Sequence, residues 1–262
     1  MDPLHAVVLA LIQGLTEFLP VSSSAHLALF PRLAGVADQG LAFDVAVHVG
    51  TLLAVCGYFR RELAQLMRPP RDDPKVPSLR RLAVCVAIGT VPVALAGLLL
   101  HDAVETMLRS VTVIAWASIG FGLLLWAADR YGTRRRDEYT LGWRDAALIG
   151  CAQALALVPG TSRSGVTMTA ALALGLEPRA AARFSFLLSI PVIALAGGYE
   201  ALRLVRDPAP VDWGIMALAF AVAALSAYAC IRVFLGLLER IGFLPFVVYR
   251  VVLGLILLAF LA

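Results

Sequence analysis

Three stretches of this chain contain no charged residue and are each about twenty residues long: Leu82–Leu100, Val111–Ala128 and Trp213–Ile231. Because roughly 20 apolar residues in a helix span the hydrocarbon core of a bilayer, each stretch predicts a transmembrane helix. The composition agrees, since 60% of the residues are apolar and 15% are charged, against about 25% charged in soluble domains. A β-barrel is not expected, because its strands would alternate apolar and polar residues. The sequence therefore predicts an all-α polytopic membrane protein.

Three further apolar stretches are each interrupted by a single ionisable residue. They are Val45–Phe59, which contains His48, Phe184–Leu202, which contains Glu200, and Ile241–Ala262, which contains Arg250. Together with the uncharged stretches they give six predicted transmembrane helices.

Two other apolar stretches are broken near their middle. Leu4–Leu29 is broken at Pro20 and Ala146–Leu176 at Pro159, and serine and threonine residues follow each break. Broken helices at membrane depth are tolerated only where they are buried in protein or line a wet cavity. We therefore predict that residues 4–29 and 146–176 are two re-entrant helical hairpins.

Lysine and arginine are distributed unequally between the predicted loops. If each hairpin returns to its own side, the loops on one side of the membrane carry sixteen of the 22 Lys and Arg residues, and those on the other side carry four. Cytoplasmic loops are enriched in these residues. The distribution predicts that both termini lie outside and that four basic loops lie in the cytoplasm: Arg60–Arg81, Asp129–Arg144, Glu177–Arg183 and Arg232–Arg240.

The two interrupted stretches resemble each other. Gln13–Ser24 reads QGLTEFLPVSSS and Gln153–Ser164 reads QALALVPGTSRS, and the two glutamines are 140 positions apart. The alternative is a chance similarity between segments rich in leucine and alanine. Because one hairpin and three spans make up each half, residues 1–128 and 145–262 are predicted to form an inverted-topology repeat, whose broken helices meet near the midplane.

Glu17 and Arg163 occupy matched places in the two hairpins. A charge at membrane depth is costly unless it is paired or hydrated, so it indicates function by default. If the hairpins meet, a carboxylate and a guanidinium share one polar pocket. A purely structural ion pair between the two repeats is the alternative.

Hydroxyl side chains cluster where each hairpin starts its second helix. The unpaired N–H groups of a helix N-terminus favour an anion, hydroxyls add donors, and glycine lets the backbone approach a ligand. Serines also cap helices without any ligand. We predict a phosphate-binding site that includes Arg163 and seven further residues: Gln13, Ser22, Ser24, Gly160, Ser162, Ser164 and Thr167.

His26 lies next to the first serine cluster and can transfer a proton near neutral pH. Ser23 is a candidate nucleophile if His26 takes its proton; a water activated by Glu17 or His26 is the rival. Glu17 could also orient His26 or bind a cation through oxygen. His48 and Asp44, four residues apart, form a structural pair in the simplest interpretation, and the sequence leaves the role of His48 open. Two roles of Arg250 are left open: its side chain extends toward the membrane surface, or it reaches the polar pocket shared by the two hairpins.

The segments QGLTEFLPVSSSAH (Gln13–His26) and PGTSRSGVT (Pro159–Thr167) resemble the two motifs of the undecaprenyl-diphosphate phosphatase family, also called the bacitracin-resistance protein family. FSFLLSIP and VVYRVVLG are similar to that family too, so the resemblance covers essentially the whole chain. Nine positions match family motif residues: Gln13, Glu17, Ser22, Ser23, His26, Ser162, Arg163, Ser164 and Thr167.

The resemblance implies an enzyme of the bacterial cytoplasmic membrane that removes one phosphate from undecaprenyl diphosphate. Its product is the lipid carrier for peptidoglycan synthesis, and the activity gives bacitracin resistance. The resemblance also implies a site open to the outer face and a possible divalent cation, Mg²⁺ or Ca²⁺. Many members have glutamate where this chain has Gln13, which weakens a mechanism with two carboxylates on one cation.

Two rival functions remain at this stage. Inverted repeats with broken helices are common in transporters, so the chain could move a small anion or a lipid phosphate without reacting with it. A non-catalytic membrane scaffold would tolerate polar replacements of Glu17 and Arg163. The expected partners are the lipid diphosphate, the surrounding membrane and a second copy of the chain in a homodimer; nucleic acid is not expected.

Overall fold

The computed structural model describes residues 2–36, 38–66, 76–107, 110–206 and 211–260. Within these residues the chain forms eleven α-helices and no β-strand. The helices are α1 (Pro3–Thr16), α2 (Ser23–Ala34), α3 (Leu41–Tyr58), α4 (Arg60–Leu66), α5 (Val76–Met107), α6 (Val111–Tyr131), α7 (Trp143–Ala154), α8 (Arg163–Ala173), α9 (Pro178–Arg206), α10 (Trp213–Ile241) and α11 (Leu244–Phe260).

Five of the described helices contain a segment long and apolar enough to cross a membrane. They are α3, residues Ser78–Leu99 of α5, α6, α9 and α10. Each coincides with a predicted span. The chain is therefore an all-helical, multi-pass membrane protein.

The sixth predicted span, Ile241–Ala262, differs from the structure at its start. Ile241 is the last residue of α10, and Gly242, at φ 63°, caps that helix. Glycine ends helices in this way because it adopts a positive φ without steric cost. The remaining helix, α11, has 17 residues, and the last two residues of the predicted span, Leu261 and Ala262, lie outside the described residues.

Both predicted hairpins are pairs of helices joined by a loop. α1 and α2 flank the first break, and α7 and α8 flank the second, with a short 3₁₀ turn at Leu155–Leu157. α2 continues past the predicted end at Leu29 and through Pro31, and it stops only at Gly35, where φ is 64°. The helix is therefore ended by Gly35 and not by Pro31.

The first helix of each predicted hairpin packs against a helix of the other half of the chain. α1 contacts α10, and α7 contacts α5. α3 packs on both α9 and α10, and α6 packs on α11. This exchange of partners brings the two loops that follow α1 and α7 toward each other.

The contact between α5 and α7 depends on two glycines. A Cβ placed on Gly150 would lie 2.5 Å from the carbonyl oxygen of Gly89. Small residues allow membrane helices to approach this closely. The two backbones are therefore in direct contact at this crossing.

Replacing Gly150 with alanine should destabilise the protein by about 1–3 kcal/mol, the usual cost of overpacking, although alanine favours a helix. Gly120 in α6 is the matched control, since a Cβ there meets no atom within 4 Å; Gly120→Ala should leave stability unchanged or raise it. Thermal unfolding in detergent measures both. Equal unfolding midpoints for Gly150→Ala and the parent protein would contradict the close crossing.

Residues of the four basic segments predicted as loops contact one another, although the structure makes much of them helical. Arg232–Arg240 lies entirely within α10, Arg60–Leu66 is α4, and Pro178–Arg183 forms the start of α9. Arg183 Nη2 lies 3.1 Å from Glu62, and its Nε lies 2.6 Å from Glu138. Arg179 pairs with Glu239 at 3.1 Å. These ion pairs place the described parts of the loops at one end of the molecule. Three of the basic residues counted in the first loop, Arg68, Arg71 and Lys75, lie outside the described residues.

Candidate active site

The two loops meet through a buried ion pair between Glu17 and Arg163. Arg163 Nη2 donates to Glu17 Oε1 at 2.8 Å, and the side chains are 13% and 8% exposed. The other terminal nitrogen of Arg163 donates to the carbonyl oxygen of Ser185 at 3.1 Å. The sequence prediction that a carboxylate and a guanidinium share one site agrees with this geometry.

The second carboxylate oxygen of Glu17 accepts two more hydrogen bonds. Ser23 Oγ donates to Oε2 at 2.7 Å, and Gln13 Nε2 donates to the same atom at 3.1 Å. The Ser23 hydroxyl is therefore held against a carboxylate. A hydroxyl in that position can pass its proton to the carboxylate as it attacks.

The backbone turns in the same strained way at the start of α2 and of α8. Ser22 and Ser162 are the N-cap residues, with φ values of 72° and 71°. A positive φ is uncommon for a residue other than glycine, and such residues cluster at functional sites. The two hydroxyl pairs also match, since Ser22 and Ser24 are 3.3 Å apart and Ser162 and Ser164 are 3.2 Å apart.

The ion pair opens into a cavity of about 250 Å³. Its polar lining residues are Glu17, Ser22, Ser23, Ser24, His48, Ser162 and Arg163. Its apolar lining residues are Val93, Ala156, Leu157, Val192, Ile193 and Ala196. A cavity with both kinds of lining suits an amphiphile with an anionic head.

An anion in this cavity would meet the N-terminus of α2. Its N-cap residue, Ser22, makes no side-chain capping bond, so the N–H groups of the first turn are not satisfied by it. In α8 the corresponding residue, Ser162, accepts a hydrogen bond from the Gly165 N–H at 3.1 Å. The α2 terminus therefore offers more backbone donors to a phosphate than the α8 terminus.

Four of the predicted substrate-binding residues do not line the cavity. Ser164 Oγ donates to the Leu19 carbonyl oxygen at 2.7 Å, which ties one loop to the other. Thr167 is buried and hydrogen-bonds to Ser185 Oγ at 2.7 Å. Gln13 is buried beside Glu17. These residues support the site, whereas Ser22, Ser24 and Ser162 reach the cavity.

The fourth, Gly160, corrects the expectation that glycine makes room for a ligand. A Cβ on Gly160 would lie 2.5 Å from the Ile114 carbonyl oxygen, and one on Gly165 would lie 2.7 Å from Arg250 Nη1. The space beside each glycine is thus filled by protein. Gly160 allows the second loop to approach α6.

His26 has a different environment from the one that the sequence suggested. Its Nδ1 lies 2.7 Å from the Ser22 carbonyl oxygen, and its Nε2 lies 2.5 Å from the Tyr249 hydroxyl. Among the described residues His26 makes no hydrogen bond to Glu17 or Ser23. The side chain stacks on Tyr249, with ring centroids 5.7 Å apart, and does not line the cavity.

Arg250, whose role the sequence left open, joins both loops to α6. It is fully buried. Its guanidinium donates to the carbonyl oxygens of Pro20, Ala117, Ser118, Gly160 and Thr161, at 2.9–3.4 Å. One side chain thus satisfies backbone acceptors that the breaks in both hairpins leave without helical partners.

The residues around the cavity do not by themselves make a site for Mg²⁺ or Ca²⁺. These cations take about six or more oxygen ligands, whereas both oxygens of Glu17 already accept hydrogen bonds. The amide oxygen of Gln13 is buried without a hydrogen-bond partner in the described part of the chain, and it adds one oxygen that could bind a cation. Within the described residues no group of three or more His, Cys, Asp and Glu could hold a metal ion.

The fold and the cavity together define a multi-pass helical membrane protein with a cavity, lined in part by polar residues, at the junction of two broken helices. The chain belongs to the bacitracin resistance protein BacA family, whose model matches residues 6–256. Both interrupted stretches fall almost entirely inside this range.

Curated relatives cover the same length of chain. The chain is 58% identical to undecaprenyl-diphosphatase 2 of Stutzerimonas stutzeri, over 98% of each protein. It is 56% identical to the undecaprenyl-diphosphatase of Nitrosococcus oceani, over 97% of each protein. It is also 56% identical to that of Thioalkalivibrio sulfidiphilus, over 98% of each protein.

Proposed function

We propose that this chain hydrolyses undecaprenyl diphosphate to undecaprenyl phosphate and inorganic phosphate. The activity recycles the lipid carrier for cell-wall synthesis and gives resistance to bacitracin. The observation that carries the proposal is the cluster of Arg163, Glu17 and Ser23 in one cavity, in a chain whose relatives over almost their whole length are named undecaprenyl-diphosphatases.

The diphosphate lies against the polar lining residues of the cavity and the first isoprene units lie against the apolar ones. Arg163 and the N–H groups at the start of α2 hold the phosphoryl oxygens, and the hydroxyls of Ser22, Ser24 and Ser162 add donors. Electrostatic stabilisation of this kind accounts for most of the rate in phosphoryl transfer. Gln13, Ser164, Thr167 and Gly160 keep these groups in place.

Ser23 is the nucleophile in the first version of the reaction. Its Oγ forms a bond to the terminal phosphorus as its proton leaves toward Glu17. The bond from that phosphorus to the bridging oxygen breaks, and the electron pair leaves with the lipid monophosphate. Water then hydrolyses the phosphoserine. In the second version, water beside Glu17 attacks the phosphorus directly.

Phosphate release by the purified protein in detergent tests the function. We expect release from a C55 lipid diphosphate by the unmodified protein and little from Glu17→Gln. A transporter or flippase of a lipid phosphate or small anion would bind without releasing phosphate, since detergent removes any gradient. Absence of release from the folded unmodified protein would overturn the proposed function.

Ser23→Ala separates the two nucleophiles. If Ser23 forms a phospho-enzyme, the rate of phosphate release should fall by about 10⁴-fold or more, because nucleophile removal leaves only binding and electrostatic terms. Thr169→Val, which removes a hydroxyl bonded to the Gly165 carbonyl oxygen within α8, is the control and should retain most of the rate. Readily measurable hydrolysis by Ser23→Ala would instead favour direct attack by water.

A divalent cation would be held mainly by the phosphates of the substrate, with Glu17 as the one carboxylate of the cavity, and it would neutralise charge on the phosphoryl oxygens. This fits a cavity with one carboxylate and few other oxygen ligands, since Mg²⁺ is commonly held by one or two carboxylates and substrate phosphates. Chelator should then reduce phosphate release, and added Mg²⁺ or Ca²⁺ should restore it. Tight binding of either ion to the protein without lipid would contradict this.

The membrane arrangement comprises six transmembrane helices and two re-entrant hairpins in an inverted-topology repeat of residues 1–128 and 145–262. The exchange of packing partners by α1 and α7 and the matched backbone at Ser22 and Ser162 support the repeat. The ion pairs among the basic loops support a shared cytoplasmic end. On this arrangement both termini lie outside and the cavity opens to the outer face, which labelling of introduced cysteines in intact cells would test. Light scattering in detergent would test the predicted homodimer.

A further inference from the structure

His48, whose role the sequence left open, lines the same cavity as Glu17. Its Nδ1 lies 2.7 Å from the Asp44 carbonyl oxygen, one turn back along α3. Because a carbonyl can only accept, Nδ1 carries the proton, and Nε2 of the neutral ring is an acceptor. Nε2 is therefore the ring nitrogen that can accept a proton, on a residue that lines the cavity.

The other histidine near the site has no such atom available. Both ring nitrogens of His26 have partners, because Nδ1 donates to Ser22 and Nε2 accepts from the Tyr249 hydroxyl. A nitrogen that already accepts a hydrogen bond must lose it before it can take a proton. His26 therefore holds the start of α2 against Tyr249 of α11.

Glu17 is a poor final acceptor for the proton of the nucleophile. Arg163, Ser23 and Gln13 all donate hydrogen bonds to its carboxylate, and such bonds stabilise the charged form. A proton that reaches Glu17 needs a stronger base nearby. His48 and Glu17 line the same cavity.

We infer that His48 is the general base of the hydrolysis, an inference that rests on the function proposed above. The proton leaves the attacking hydroxyl, of Ser23 or water, and reaches His48 Nε2 directly or through Glu17. The attacking oxygen bonds to the terminal phosphorus, and the bond to the bridging oxygen breaks with its electron pair on the departing lipid phosphate. His48 then returns the proton to Ser23 in the second step or to solvent.

The charges around His48 come from few elements. Glu17, at the end of α1, and Arg163, at the start of α8, share the cavity with it. On its own helix, Asp44 lies one turn away. The charged residues in the same half of α9 are Glu200, Arg203 and Arg206, and the side chains of Glu200 and Arg203 are 3.5 Å apart. α10 presents the apolar Ala219 and Ala223 to α3. Glu17 and Arg163 are thus the two charged side chains that line the same cavity as His48.

The test is the pH dependence of kcat for phosphate release in detergent, between pH 5 and 9. A base acts only when it is unprotonated, so the rate of the unmodified protein should rise with pH and reach a plateau. His48→Gln should lower the plateau by about 10²-fold or more, the usual contribution of a general base, and should abolish the acidic limb. His5→Gln is the control, since His5 is 39% exposed and lies outside the cavity.

Several results would overturn the inference. An acidic limb that persists in His48→Gln overturns it. If that limb is lost in His26→Gln instead, the base is His26. If His48→Gln does not fold, His48→Asn replaces it. A kcat of the unmodified protein that does not change with pH on the acidic side also counts against His48. Phosphate release by the unmodified protein distinguishes these outcomes from failure of the proposed function itself.

Discussion

Replacing Arg163 with lysine should lower the rate of phosphate release by about 10²-fold to 10³-fold while the protein still folds. Lysine keeps a positive charge next to Glu17, so the buried carboxylate is not left uncompensated. It loses the planar fork that binds two phosphoryl oxygens at once. Loss of one preorganised donor to a transition-state oxyanion has a cost of this size. The measurement is kcat with the C55 lipid diphosphate in detergent.

Arg179→Lys is the matched control for this substitution. Arg179 also pairs with a glutamate, Glu239, at 3.1 Å, but both side chains are more than half exposed. Exposed pairs contribute little, so the control should keep the rate and the unfolding midpoint of the parent protein. Near-normal turnover by Arg163→Lys would refute the phosphate-clamp role and leave the ion pair with a structural role only.

Replacing Arg250 with methionine should both destabilise the protein and abolish most of its activity. Methionine keeps much of the length of the side chain but has no donor, so the carbonyl oxygens of Pro20, Gly160 and Thr161 in the two loops lose their partner. The carbonyl oxygens of Ala117 and Ser118 lie inside α6 and keep their helical hydrogen bonds. Each unsatisfied acceptor costs about 1–3 kcal/mol, and relaxation of the loops recovers part of that. We expect a loss of about 3 kcal/mol or more, and at least a tenfold lower rate of phosphate release because the Pro20 and Gly160 backbones shift.

Arg232→Met is the control, since Arg232 is exposed on α10. Arg250→Lys should be intermediate, because an ammonium group can reach only some of the five carbonyl oxygens. Thermal unfolding and phosphate release are measured on the same samples. A stable, fully active Arg250→Met would show that the two loops keep their positions without this side chain.

The sequence predicted most of the membrane-crossing helices because the signal is local. A run of apolar residues without a charge needs no knowledge of its neighbours, and α5, α6 and α10 all contain such a run. The hairpin breaks at Pro20 and Pro159 are also local, since proline disfavours the helical conformation of the residue before it. The ends of helices were harder, as α2 shows by continuing through Pro31 to Gly35.

Candidate site residues were predicted as a set, but their individual positions were not. Ser22 and Ser164 belong to the same kind of motif, yet only Ser22 lines the cavity, while Ser164 bonds to the Leu19 backbone. Gly160 was expected beside a ligand and lies against Ile114. The difference depends on which surface each hairpin turns toward the other half of the chain, and no local pattern encodes that.

Three properties follow from the sequence alone: the chain spans a membrane, two of its apolar stretches are broken, and Glu17 and Arg163 cannot remain unpaired inside the membrane. These conclusions follow from transfer free energies and backbone sterics, which act residue by residue. Tertiary structure decided which histidine faces the cavity and that Arg250 joins both loops. Those outcomes depend on groups that are far apart in sequence, such as Arg250 and the carbonyl oxygens of Pro20 and Gly160, and only the packed helices bring them within hydrogen-bonding distance.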